Sequence, residues 1–160
     1  MIDCAAGLAH HRLLGSEQVM VLRNVDLTSV PTEHLASLAS SVTGIVSINN
    51  LCGCNLVTIL DSVKSQVLLI RSQSLVSEET RALVRAMETG VNIVRLYREV
   101  TLDIRDLMEY SGHGKCREVV CYRARDTADR YREQLRTWAT SKNWEMICDG
   151  GDCFVVRRFH

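Results

Sequence analysis

The apolar residues of this chain follow two periods that take turns. Short runs with β-branched residues recur at positions 19–22, 45–48, 67–70, 91–96 and 118–121, and after each run the apolar spacing widens to three or four. Alternation by two sets side chains on opposite faces of a strand, whereas spacing by three and four sets them on one side of a helix. The pattern therefore predicts strand–helix pairs, and strands joined by helices form a parallel sheet of the α/β class. Aligning Leu22, Ile48, Ile70, Leu96 and Cys121 gives steps of 26, 22, 26 and 25 residues. The unit is one strand and one helix, repeated.

The chain also echoes itself at a constant offset of 48 residues, two such units. Residues 18–48 lie over 66–96 without a gap, and Gln18/Gln66, Val19/Val67, Arg23/Arg71, Leu27/Leu75, Ser29/Ser77, Thr32/Thr80, Leu35/Leu83, Ile45/Ile93 and Val46/Val94 are identical. Self-similarity at a fixed period is the mark of a stacked array, in which each unit buries its apolar face on its neighbours. Most of these identities fall at core or cap positions, which stacking explains. Arg23/Arg71 is an identity that stacking does not require.

Within the units, the first helix is expected near Ser29, with the serine hydroxyl as cap and Pro31 in the first turn, burying Leu35, Leu38, Ala39 and Val42. A shorter second helix runs through Val57, Ile59, Leu60 and Val63. The third starts at Ser77, with Glu78 and Glu79 favourably placed against the helix dipole, and buries Leu83, Val84, Ala86 and Met87. The fourth runs from Leu102 into Tyr110 and stops at Gly112 and Gly114, which suit left-handed caps. The fifth begins at Asp126 and buries Ala128, Tyr131, Leu135, Trp138 and Ala139. Asp103, Asp106 and Glu109 share one helix side and read as a solvated face, as do the alternating charges of residues 125–136.

Both ends depart from the repeat. Residues 144–148 and 153–159 flank Asp149-Gly150-Gly151-Asp152 and read as a β-hairpin. At the other end, residues 3–14, with Ala5, Leu8, His11 and Leu13, read as a capping helix. A single domain is expected over 1–160, with an N-terminal cap at 1–17, repeats at 18–143 and a C-terminal hairpin cap at 144–160.

Three stretches carry a family likeness: Met20-Val-Leu22-Arg-Asn-Val25-Asp-Leu27, Val46-Ser-Ile48-Asn-Asn-Leu51-Cys-Gly-Cys54 and Leu68-Leu-Ile70-Arg-Ser-Gln73-Ser-Leu75. The chain resembles a leucine-rich repeat array in its long-unit form, as in ribonuclease inhibitor and the receptor-like ends of NOD-like receptors. In the register that buries Leu22 and Ile48, the place of the family's ladder asparagine holds Val25, Leu51, Gln73 and Glu99. Shifting by one residue brings Asn24 and Asn50 there but turns the apolar strand positions outward. The resemblance implies a β/α solenoid of about five strand–helix units, with a curved parallel sheet inside and helices outside. It also implies protein–protein recognition without catalysis.

If Met20/Leu22, Val46/Ile48, Leu68/Ile70, Val94/Leu96 and Val119/Cys121 point inward, then Val21/Arg23, Ser47/Asn49, Leu69/Arg71, Arg95/Tyr97 and Val120/Tyr122 point out. Parallel stacking lines these up into a column of Arg23, Asn49, Arg71, Tyr97 and Tyr122, with Arg95 beside it and Arg98, Arg123 and Arg125 in the nearby loops. Arginine and tyrosine are enriched among residues that dominate binding energy. Long arginine stems also serve simply to cover an exposed sheet, so the same column fits polar cover.

Charge adds little. Nineteen basic and nineteen acidic side chains cancel, and the split is only −3 over residues 1–114 against +3 over 115–160. A partner recognised mainly by its phosphate field, such as nucleic acid, is not expected. No apolar run nears the roughly 20 residues of a membrane span, and residues 1–18 lack the basic start and long apolar core of a signal peptide. A cytoplasmic protein with reduced thiols is expected, the cysteine count of 7 being odd.

No Gly-x-Ser-x-Gly, Gly-x-x-x-x-Gly-Lys-Ser/Thr, Gly-x-Gly-x-x-Gly or His-Glu-x-x-His occurs, and Gly112-His-Gly-Lys115 follows a helix rather than a strand. Cys52-Gly-Cys54 is one residue short of the redox spacing, and His113, Cys116 and Cys121 lack a fourth ligand for zinc. Cys148 and Cys153 flank the hairpin turn at a separation that would suit a disulfide. The expectation is no catalytic residue, no metal and no cofactor. The chain reads as a protein-recognition module, of the kind that senses ligands in an innate-immune receptor or adaptor, binding through Arg23, Asn49, Arg71, Arg95, Tyr97 and Tyr122. Its open ends offer a route to homo-oligomers. The competing reading is an α/β metal- or thiol-dependent enzyme built on Cys52, Cys54, His113 and Cys116.

Overall fold

Each period-two run becomes a strand. The computed structural model describes residues 2–5, 8–11, 13–14, 17–51, 55–97, 100–110, 114–122, 125–149 and 153–158, with backbone alone before Gln18, at Ile104, at Tyr122, and at 125–132, 148–149 and 153–154. In chain order the elements are β1 (Ile2–Ala5), β2 (Leu8–His11), β3 (Leu13–Leu14), β4 (Glu17–Arg23), α1 (Thr32–Ser40), β5 (Ile45–Asn49), α2 (Leu56–Ser62) and β6 (Val67–Arg71). They continue with α3 (Ser77–Thr89), β7 (Ile93–Leu96), α4 (Ile104–Leu107), β8 (Glu118–Tyr122), α5 (Arg125–Ser141), β9 (Trp144–Asp149) and β10 (Cys153–Arg158).

The strands form one mostly parallel sheet in the order β2-β1-β4-β5-β6-β7-β8-β10-β9, with β3 also on β4. From β4 to β8 every neighbour is parallel and next in sequence, and Leu22, Ile48, Ile70, Leu96 and Cys121 lie side by side. The steps of 26, 22, 26 and 25 residues are thus the sheet register. The helices pack on one another in chain order, α1 to α5, as one layer. The fold is α/β with helices on one face of an open sheet.

The core lies between these two layers. Met20, Leu22, Val46, Ile48, Leu68, Ile70, Val94, Leu96, Val119 and Cys121, the inward set of the alternation, are all buried. The helices answer with Leu35, Ala39, Leu56, Ile59, Leu60, Leu83, Ala86, Met87, Leu135, Trp138 and Ala139. Fully burying each large aliphatic side chain stabilises by about 1.5–3 kcal/mol, so the inward row is the main adhesive of the sheet–helix contact. Units also fit closely at their bases: a Cβ at Gly44 would stand 2.3 Å from the Gln18 carbonyl oxygen, and one at Gly114 would stand 2.3 Å from Glu88 Cα.

The structure corrects several expectations about helix ends. Ser29 lies in the turn closed by Val30 N–H donating to Leu27 O, and Pro31 holds the N-cap position of α1 with no side-chain cap. The second helix is capped by Asn55, whose Oδ1 accepts from Thr58 N–H at 3.2 Å. Glu79 Oε1 accepts from Val76 N–H at 3.0 Å, fixing the start of α3 at Ser77 as expected. The fourth helix is a single turn, begun at Asp103, whose Oδ1 accepts from Arg105 N–H at 3.0 Å. It ends before Tyr110 because that ring is drawn into an aromatic cluster. Gly114 serves close approach to Glu88 rather than a left-handed cap, and Gly112 lies outside the described residues. Asp106, expected on a solvated face, is buried and sits 3.8 Å from Arg81 of α3.

The capping helix expected over 3–14 is replaced by β1, β2 and β3. A helix there would carry Gly7 in its interior at a cost of about 1 kcal/mol, while β4 offers an unpaired edge. β1 takes it, pairing in parallel with Met20–Leu22, and β2 folds back antiparallel on β1. At the far end the expected hairpin forms, with β10 antiparallel to β8 and β9 outermost.

That hairpin closes over three aromatic rings. Trp144 lies 5.7 Å from Tyr110, edge to face, and 5.6 Å from Trp138. Arg158 of β10 donates to the carbonyls of Gly114 and Cys116 and stands over the Trp144 ring. Tyr110 Oη donates to Cys116 O and accepts from Gly114 N–H, both at 3.2 Å. The loop before β8 is therefore fastened from both sides.

Candidate functional site

Helices cover one face of the sheet, so the other face holds the outward side chains in rows set by the register. Val21, Ser47, Leu69, Arg95 and Val120 stand side by side across β4 to β8, and Val155 and Ile147 continue the row across β10 and β9. One step toward the carboxyl ends of the strands, Arg23, Asn49 and Arg71 form a second row. One step the other way, Val19, Ile45, Val67, Ile93 and Glu118 form a third, continued by Arg157 and Glu145. Neighbouring strands lie about 4.8 Å apart, so Arg23 and Arg71 are roughly 10 Å apart at their Cα atoms.

The sequence-predicted column is thus assembled in part. Tyr97 follows β7, its N–H donates to Ile70 O at 2.9 Å, and its ring carries the Arg71 guanidinium 4.0 Å from the centroid. A cation over an aromatic face contributes about 0.5–1 kcal/mol at such sites. Arg23 and Arg71 are exposed, and Asn49, Arg95 and Tyr97 are half-buried. Tyr122 pairs in backbone register with Cys153, and its side chain lies outside the described residues, as do Arg98, Arg123 and the side chain of Arg125.

Just past the row, the backbone turns in a left-handed conformation at the same place in three successive units. The φ angles of Asn24, Asn50 and Ser72 are 50°, 51° and 48°. Asparagine tolerates this region because its short polar side chain bonds locally. Asn50 Nδ2 donates to Asn24 Oδ1 at 2.9 Å, joining two units along the upper rim of the face. Beneath them the buried Gln73 amide reaches back one unit: its Oε1 accepts from Leu51 N–H at 2.8 Å and its Nε2 donates to Leu51 O at 3.2 Å.

Two features of this face escaped the alternation reading. The first is the third row, Val19, Ile45, Val67 and Ile93, half-buried and apolar, which the same period of two would have given if extended by one pair. The second is the depth of the middle row: Val120 is only 4% exposed although it points away from the helices. Its register neighbours are Arg95 and Val155, and Arg95 Nε is buried without a hydrogen-bond partner among the described residues.

Of the residues of the competing metal or thiol site, Cys116 alone lies among the described residues. Cys116 and Cys121 are buried in the core. Burial pushes the Cys116 thiol up to about 12, against hydrogen bonding that only partly opposes it. A thiol so placed is neither nucleophile nor ready ligand. Cys52, Cys54 and His113 lie outside the described residues, and no group of three or more metal-ligating side chains occurs among the described ones. In the hairpin, Cys148 stands opposite Phe154 and Cys153 opposite Asp149, one position out of step for a facing pair. No described helix is long and apolar enough to cross a membrane. Comparison with protein-family models, curated proteins and solved structures finds no match to this chain.

Proposed function

We propose that the chain is a leucine-rich-repeat-like β/α solenoid that binds another protein on its uncovered sheet face, without catalysis, in the manner of a ligand-sensing repeat region of an innate-immune-type receptor or adaptor in the cytoplasm. The observation that carries the reading is the row Arg23, Asn49 and Arg71 with Tyr97 stacked under Arg71, on a face that no described helix covers. The solenoid is supported by the chain-order parallel pairing, by the left-handed residue repeated at Asn24, Asn50 and Ser72, and by Gln73. That glutamine occupies the ladder position and makes the unit-to-unit backbone bridge that a ladder amide makes. Arrays of this kind act through extended surfaces.

The test places a photoreactive benzoylphenylalanine on each face in turn, within the source cells. Ser47 stands in the middle row of the open face, and Ser37 is exposed on α1. Discrete protein adducts are expected from position 47 and none from position 37. Adducts from 37 alone, or from neither, overturn the reading.

A further inference from the structure

The arginines of α3 and α4 all have carboxylates. Arg85 pairs with Asp61 through two contacts at 2.9 and 3.2 Å, Arg81 stands 3.8 Å from Asp106 and Glu109, and Arg105 pairs with Asp103 at 2.7 Å. At the hairpin end of the open face Arg157 likewise faces Glu145 at 3.6 Å. Arg71 and Arg95 differ. Arg71 rests on an aromatic ring and Arg95 has a buried Nε without a partner, and no ion pair reaches either from the described residues. The three rows between β4 and β7 contain no carboxylate among their described side chains.

Around these two cations the surface is largely apolar, with Asn49 beside Arg71 and the Glu118 carboxylate beside Ile93 at its β8 edge. Leu69 stands beside Arg95 in the register, Val120 is on its other side, and Val67 and Ile93 complete the patch below. Guanidinium groups set on a low-dielectric surface bind carboxylates more strongly than the same groups in open water, and their planar forks suit bidentate pairing. A patch of this kind selects a ligand that brings negative charge and apolar side chains together.

Resting on the reading of this face as the recognition surface, we propose that its partner presents an acidic segment studded with apolar side chains. Carboxylates of that segment pair with Arg71 and Arg95, and its apolar residues lie on Leu69, Val67 and Ile93. The charge of the face is what commits it to this occupant. A basic segment would meet two guanidiniums with no carboxylate between β4 and β7 among the described side chains to offset them.

Fluorescence anisotropy of labelled peptides on the whole chain tests the proposal. The probes are a short peptide alternating glutamate and leucine, its lysine–leucine counterpart, and oligothymidylate. The acidic peptide should bind saturably and weaken with salt, and Arg71→Glu or Arg95→Glu should each reduce its affinity by about tenfold or more. Arg136→Glu, an exposed change on α5, should leave it within about twofold. Arg71→Glu with Arg95→Glu together should turn the preference to the lysine–leucine peptide, a gain that misfolding does not produce. The proposal is overturned by failure of the acidic peptide to saturate, by equal binding of the basic peptide or tighter binding of oligothymidylate, or by sedimentation showing the face occupied by a second copy. Adducts at position 47 that persist through such a failure would leave the recognition surface standing and remove only its acidic partner.

Discussion

Cys116 illustrates how much a single residue here owes to its surroundings. Its side chain is fully buried, its Sγ lies 3.5 Å from Glu118 O, and its own carbonyl accepts from Tyr110 and Arg158. The thiol near 9 in the unfolded chain rises to about 12 in the fold, first because burial penalises the thiolate. Folding therefore favours the neutral thiol. The resulting stability is fully present below about pH 9 and is lost as pH climbs toward about 12. Tyr110 moves the same way, raised first by burial and then by the neighbouring Cys116. The urea midpoint is expected to fall through this alkaline range, and Cys116→Ala to make the fall shallower. Parallel pH profiles for the two proteins would rule the effect out.

Among elements, the bond between successive strand–helix units rests on positions that differ in how plainly they can be read. Gln73 is one legible as a place but not as a role: the register gave it the ladder position, while only the fold aims its amide at Leu51. Gln73→Leu fills the site but leaves a buried N–H and C=O of Leu51 without partners, and should cost about 2–4 kcal/mol. Amide exchange at Leu51 should accelerate along with the drop in denaturant midpoint; a cost below about 0.5 kcal/mol means the bridge contributes nothing. The strand register was legible because ten inward residues, from Met20 to Cys121, are large, apolar and spaced by two. Nothing local could have given β1, since Ala5, Leu8 and His11 fit helical spacing and the deciding partner is the edge of β4. Tyr110 likewise leaves the helix predicted for it because Trp138 and Trp144 lie far along the chain. On the open face, Arg71 and Tyr97 could be named from alternation, but their stacking could not.

At the scale of the whole molecule, each unit touches mainly its neighbours, since β4 to β8 and α1 to α5 pack in chain order. Stability in such an arrangement is close to a sum over units and interfaces, so damage at one end stays there. The hairpin end offers the sharpest check: β10 pairs with β8, Trp144 and Val156 enter the core, and Arg158 fastens the loop before β8. The chain has two tryptophans. Trp144→Ala removes one and keeps Trp138, 2% exposed, as a reporter of the damaged end. Loss of a buried tryptophan costs about 3–5 kcal/mol, and in a chain of local contacts that cost falls on α5, β9 and β10 rather than on β4 to β6. Trp138 emission should then shift to the red at a lower urea concentration than the far-ultraviolet circular dichroism, whose signal comes from every helix. In the parent chain the two transitions should lie closer together. Coincident transitions in the variant, both displaced by the same amount, would mean that the sheet transmits the loss end to end and that the molecule unfolds as one unit instead of a row of them.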